Sequence, residues 1–201
     1  MAIFPKFARK GQVEMIYHFY IELEGSNPLV WRRIVVPANY NVYQLHMALQ
    51  GAFGWENSHL FQFCERDLSD PIGYGIPGDF DSDTEVFDAK KTKMSKIFKE
   101  TGQQYYYIYD FGDHWRHLIR FEKMEAKEMG SPYCLGGEGA CPPEDLGGMH
   151  GYQEMLQALE KPNANEKKKL RQWLGLVEGE KWDAKFCSIR EVNKRLALLG
   201  R

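Results

Sequence analysis

At 201 residues, with 14% aromatic content, the chain is long enough to bury roughly 70% of its unfolded surface in a real core. Its formal charge of -2 supplies no global pull toward nucleic acid or acidic membranes. No apolar run approaches the roughly 18 residues of a membrane-spanning helix, residues 1–7 lack the pattern of a secretion signal, and four irregularly spaced cysteines are too few for a disulfide framework.

The expectation is a cytoplasmic protein with no membrane partner. One domain spans residues 1–201, with a core over about 13–160 and a helical extension over about 161–201. In chain order, residues 13–23 alternate so that Tyr17, Phe19, Ile21 and Leu23 share one face, the mark of a half-buried strand. Turn chemistry at Gly25-Ser26-Asn27-Pro28 leads to a second strand over 29–36, stopped by Pro37, and the two pair as a hairpin. Asn41 caps a helix whose Val42, Leu45, Leu49, Ala52 and Phe53 recur at helical spacing, ended by Gly54. Residues 59–64 read as a third strand. Residues 66–92 read as a long polar loop, with a short strand near Glu85-Val86-Phe87.

A short helix over 94–100 precedes a second hairpin, residues 105–109 and 115–125, turning at Phe111-Gly112-Asp113. A cysteine-bearing loop follows, then helices over 152–159, 166–174 and 189–199. Ser188 and Glu191 have the spacing of a capping box for the last of these. This order predicts an α+β fold: a mixed or antiparallel, β-grasp-like sheet cupping one helix, with C-terminal helices.

Chemistry-bearing residues concentrate at the second hairpin and the loop after it. Period-two alternation points Trp115, His117, Ile119 and Phe121 inward. An inward histidine needs a partner for each ring nitrogen. Either His117 is a core residue bonded to a backbone carbonyl and to Asp110 or Asp113, or it is a metal ligand. Asp110 and Asp113 flank a turn, where aspartate commonly accepts from its own following amides. Cys134 and Cys141, seven positions apart, could join His117 and Asp145 in a tetrahedral zinc site, with His150 as another fourth ligand. Reduced thiols or a disulfide are the rivals. Glu144 and Asp145 lie ahead of a helix whose N-terminus favours acids. Alternatively they join Asp110 and Asp113 in acid–base work or in holding a divalent ion.

Lys167-Lys168-Lys169 and Arg171 read as a solvated helix face, with nucleic-acid contact the lesser alternative. The Asp-Phe-Gly triplet lacks every companion motif of a kinase.

The strand Leu29-Val30-Trp31-Arg32-Arg33 is followed by Leu45-His46 and Phe53-Gly54-Trp55. Next come Tyr109-Asp110-Phe111-Gly112-Asp113 with Trp115 and His117, then Cys141-Pro142-Pro143-Glu144-Asp145 with Gly147-Gly148 and Gly151-Tyr152. Over about 17–159 this succession resembles the plasmid pRiA4b Orf-three-like family. The resemblance implies a compact α+β fold and occurrence on plasmids and mobile elements. It brings no activity. A resolvase label used within the family finds no support here, because the first serine is Ser26, in a turn.

Three functions follow as expectations. The first is a non-enzymatic binding or interaction module whose site candidates are Asp110, Asp113, Trp115, His117, Glu144 and Asp145. The second is a metal-dependent enzyme, hydrolytic in the simplest case, using zinc or another divalent ion. The third is a nucleic-acid accessory protein.

Overall fold

Alternating apolar positions draw β1 (Val13–Leu23) and β2 (Val30–Pro37) into an antiparallel hairpin. Its inward face carries Phe19, Ile21, Leu23, Val30 and Ile34, all fully buried. In the turn, the Ser26 hydroxyl donates to the Leu23 carbonyl at 2.7 Å and accepts from the Val30 amide at 2.9 Å. The computed structural model describes residues 13–78, 85–160 and 164–200. The N-terminal segment read for a secretion signal lies outside them.

Next in the chain come α1 (Val42–Phe53), β3 (Phe61–Cys64), β4 (Ile72–Gly75), β5 (Glu85–Asp88), β6 (Gln104–Tyr109), β7 (Trp115–Glu128) and β8 (Tyr133–Glu138). Helices α2 (Gly148–Glu160), α3 (Ala164–Trp173) and α4 (Ile189–Leu198) follow. The strands form one eight-stranded sheet in the order β5-β4-β3-β6-β7-β1-β2-β8. Every pairing is antiparallel except β4 with β5. The class is α+β with a mixed sheet.

Helix α1 begins at a reciprocal capping box. The Asn41 side chain accepts from the Gln44 amide and the Gln44 side chain accepts from the Asn41 amide, a cap worth about 1 kcal/mol. It ends where Gly54 enters the left-handed region at φ 91°, a conformation that costs glycine nothing. Val42, Leu45, Leu49, Ala52 and Phe53 of α1 join inward residues of the central strands in one core. At about 1.5–3 kcal/mol for each large apolar side chain buried, this layer is the main stabilising term. Within it, Arg32 is also buried. Its guanidinium donates to the carbonyls of Trp31, Ala52, Glu138 and Gly139 at 2.7–3.1 Å, tying the end of α1 to the β8 edge.

Three elements differ from expectation. The long loop contains, besides the expected short strand (β5), a further four-residue strand, β4, paired with it. At Gly73 an added Cβ would stand 2.4 Å from the Gln62 side chain, which would have to move. The helix at 94 is a single 3-10 turn, Met94–Lys96. Cys134 belongs to a strand, β8, not a loop. Its outer edge at Cys134 is closed by Asn193 of α4, which accepts from the Cys134 amide at 2.6 Å and donates to its carbonyl at 3.0 Å. A side-chain amide thereby mimics a neighbouring strand and blocks edge pairing.

Candidate functional site

The turn between β6 and β7 aims one carboxylate at a fixed place. Asp110 takes the left-handed conformation at φ 54°, and its Oδ1 accepts from the amides of Gly112 (2.9 Å) and Asp113 (3.2 Å). That is the expected aspartate turn. Its second oxygen, Oδ2, is left facing His59 Nδ1 at 3.5 Å. On the other side of the imidazole, Asp145 Oδ1 stands 3.1 Å from Nε2. One ligand atom from each of His59, Asp110 and Asp145 lies within 4.8 Å of the others. The group opens outward: side-chain exposure rises from 12% at Asp110 through 27% at His59 to 76% at Asp145.

Two bridges bring the hairpin turn against the proline-rich bend. Asp113 Oδ2 accepts from the amides of Leu146 and Gly147, each at 3.1 Å. The Tyr109 hydroxyl donates to Glu144 Oε1 at 2.7 Å and accepts from the Ser58 amide at 3.0 Å. Glu144 Oε1 also accepts from the Glu56 amide, and the Trp55 indole donates to the Pro142 carbonyl at 3.0 Å. Burial, then the Glu144 carboxylate, push the Tyr109 hydroxyl well above its usual range, so it stays a donor. Among the described residues, the non-glycine positions with positive φ are Asn57, Asp110, His114 and Asp145. All four sit in the loops that carry or adjoin the trio. Such backbone costs of order 1–3 kcal/mol per residue and gathers at functional sites.

Beneath the trio lies a closed network. His46 Nε2 meets Asn57 Oδ1 at 2.6 Å and His46 Nδ1 meets the Tyr107 hydroxyl at 2.9 Å. The amide oxygen of Asn57 only accepts, so Nε2 carries the proton and Nδ1 accepts from Tyr107. Tyr107 in turn accepts from Gln50 Nε2, and Gln50 Oε1 accepts from the Asn57 amide. Burial lowers the His46 pKa to about 3, so the ring is neutral. This network pins Asn57, two residues before His59.

The expected residues divide sharply. Asp110 and Asp145 belong to the trio, while Asp113 and Glu144 hold its loops together. Glu144 and Asp145 do not cap α2; the amides just ahead of that helix go to Asp113 instead. His117 and Trp115 do point inward, fully buried beside Trp55. His117 Nδ1 meets the Tyr107 carbonyl at 3.2 Å, with neither aspartate as partner, and burial drops its pKa to about 3. Cys134 is buried in β8, its thiol donating to the Gly136 carbonyl at 3.2 Å. Cys141 is a free thiol whose pKa burial raises far above normal. His150 is exposed and faces Glu154 at 3.7 Å.

His117, Cys134, Cys141 and Asp145 therefore do not converge. Among the described residues, the metal-compatible cluster is His59, Asp110 and Asp145. His59 was expected only as the start of a strand. The signal for it was its place just after Asn57-Ser58, two residues before β3 begins.

The chain belongs to the family described as plasmid pRiA4b ORF-3-like protein, whose model matches residues 15–191. It is 35% identical over 187 residues to the uncharacterized protein y4hQ of Sinorhizobium fredii, covering 92% of this chain and 94% of the relative. It is also similar to the crystal structure of MM3350, a protein of unknown function from Methanosarcina mazei Go1. That match has a TM-score of 0.75 and 33% identity, covering 90% of this chain and 99% of the other. Neither name assigns a reaction.

Proposed function

We propose that this member of the plasmid pRiA4b ORF-3-like family is a binding module that holds a divalent cation between His59, Asp110 and Asp145. The observation that carries the reading is His59 Nε2. It lies 3.1 Å from Asp145 Oδ1 yet is buried without an aligned hydrogen bond. An imidazole nitrogen crowded by a carboxylate it does not bond is the arrangement a cation would relieve. One imidazole and two carboxylates suit zinc, manganese or iron, and three protein ligands leave coordination positions open to a ligand from solvent. In this reading a β-grasp-like sheet cradles α1 within a single cytoplasmic domain, and the loops at one end of the sheet form the site.

A metal-dependent hydrolase is the second reading. A divalent ion supplies Lewis acidity and an activated water, and Glu144, next in sequence to Asp145 and bonded to Tyr109, lies at hand as a base.

Calorimetric titration of chelator-treated protein with zinc or manganese tests the cation site. Stoichiometric binding that His59→Ala and Asp110→Asn each abolish is expected. If both variants bind as the parent does, or if nothing binds, the trio is not a cation site.

A further inference from the structure

We infer that the groove between α2, α3 and the segment leading into α4 is a second binding site, for a mononucleotide: one phosphate carried on a flat ring. Its volume is about 830 Å³, within the range of roughly 300–1,000 Å³ common to small-molecule sites. Leu156 and Leu159 of α2 give it an apolar floor backed by the core. Half-buried Trp182 is among its lining residues and is an aromatic group of the kind on which a base can stack.

The charge on its walls is opposite in sign to that of the chain as a whole. Among the described residues, Lys167, Arg171, Lys181 and Lys185 line it against Glu160 and Asp183, although the protein carries a formal -2. Arg171 is occupied, donating to the carbonyls of Val177 and Glu180 and so shaping the wall. The three lysines are not. None forms an ion pair with a described residue. Three lysines without an ion pair to a described residue, lining a concave and partly apolar surface, are complementary to a phosphate with an apolar body. Inorganic phosphate alone would leave Trp182 and the leucines wet.

This site stands apart from the cation trio, so its test is run in chelator. The full chain is titrated calorimetrically with AMP and, separately, with inorganic phosphate at low ionic strength. AMP is expected to bind at least about tenfold more tightly than phosphate. The double variant Lys181→Ala/Lys185→Ala is expected to weaken AMP by roughly tenfold or more without moving the melting temperature. Trp182→Leu should abolish the advantage of AMP over phosphate. Should Trp182→Leu fail to fold, the two ligands and the lysine variant still decide. No heat with AMP, equal binding of AMP and phosphate, or unchanged affinity in the lysine variant overturns the proposal. So does a single-stranded oligothymidylate that binds more tightly than AMP through the same lysines, which would make this a nucleic-acid surface.

Discussion

His46 and His59 sit on either side of Asn57 and live under opposite conditions. Around His46 every donor meets an acceptor: Tyr107, Gln50 and Asn57 close a ring of hydrogen bonds in the core, and the imidazole stacks on Phe61 with centroids 3.7 Å apart. Around His59 the accounting is left open. Two carboxylate oxygens approach the ring, one nitrogen has no aligned partner, and the outer acid is in water. A satisfied polar network specifies a unique core and holds neighbouring backbone in place. Unused coordinating capacity at the surface is what a ligand can exploit. The two clusters act together, since the closed one holds Asn57 at φ 59° and thereby sets where His59 enters the open one.

The comparison can first be broken on its buried side. His117→Ala removes a ring packed against Phe53 and Trp55 and its bond to the Tyr107 carbonyl. Cavity and lost hydrogen bond together should cost about 3 kcal/mol, read as a lower urea midpoint at unchanged slope. A variant that melts like the parent would mean that the ring is not held inside the sheet.

Acid should weaken the same interior, by less for each ring than its deletion does. Both His46 and His117 have folded-state pKa values lowered to about 3 by burial, against about 6.5 in an unfolded chain. The unfolded state therefore binds the extra protons first. The contribution of each ring is fully present above about pH 6.5 and is lost as pH falls from there toward 3. At about 1.4 kcal/mol per pH unit, pH 5 should cost about 2 kcal/mol for each histidine. Denaturant unfolding between pH 7.5 and 5 measures it, and His46→Gln should flatten the slope by about half if its ring is neutral in the fold.

How much of this could be read along the chain depended on how local the cause was. The β1–β2 hairpin and the capped α1 are written in alternation, turn residues and an Asn41–Gln44 pair a few positions apart, so they were legible. Strands β4 and β8 were not. Their Ile-Gly-Tyr-Gly and Tyr-Cys-Leu-Gly-Gly-Glu runs are interrupted by glycines, which blur a strand signal, and the close approach of Gln62 to Gly73 and of Trp31 and Arg32 to Gly137 comes from distant parts of the chain. At the site, Asp110 and Asp145 showed themselves as turn acids. His59 did not, because its role depends on residues that arrive from β6 and from beyond β8. The thiols drew attention through their chemistry, yet strand geometry turns Cys134 inward and away from any shared centre.

The smallest effect on stability sharpens the open side most. Asp145 is 76% exposed and left-handed at φ 57°. Asp145→Gly relieves that backbone while adding freedom to the unfolded chain, two effects of similar size and opposite sign. The chelator-treated variant should therefore unfold within about 0.5 kcal/mol of the parent. With zinc at about a hundred times the dissociation constant, the parent should gain about 2.7 kcal/mol, and the variant, short of one carboxylate, should gain far less. Equal gains would remove Asp145 from the ligand set. A gain lost in the glycine variant but kept in Asp145→Glu would tie the effect to the carboxylate rather than to the turn.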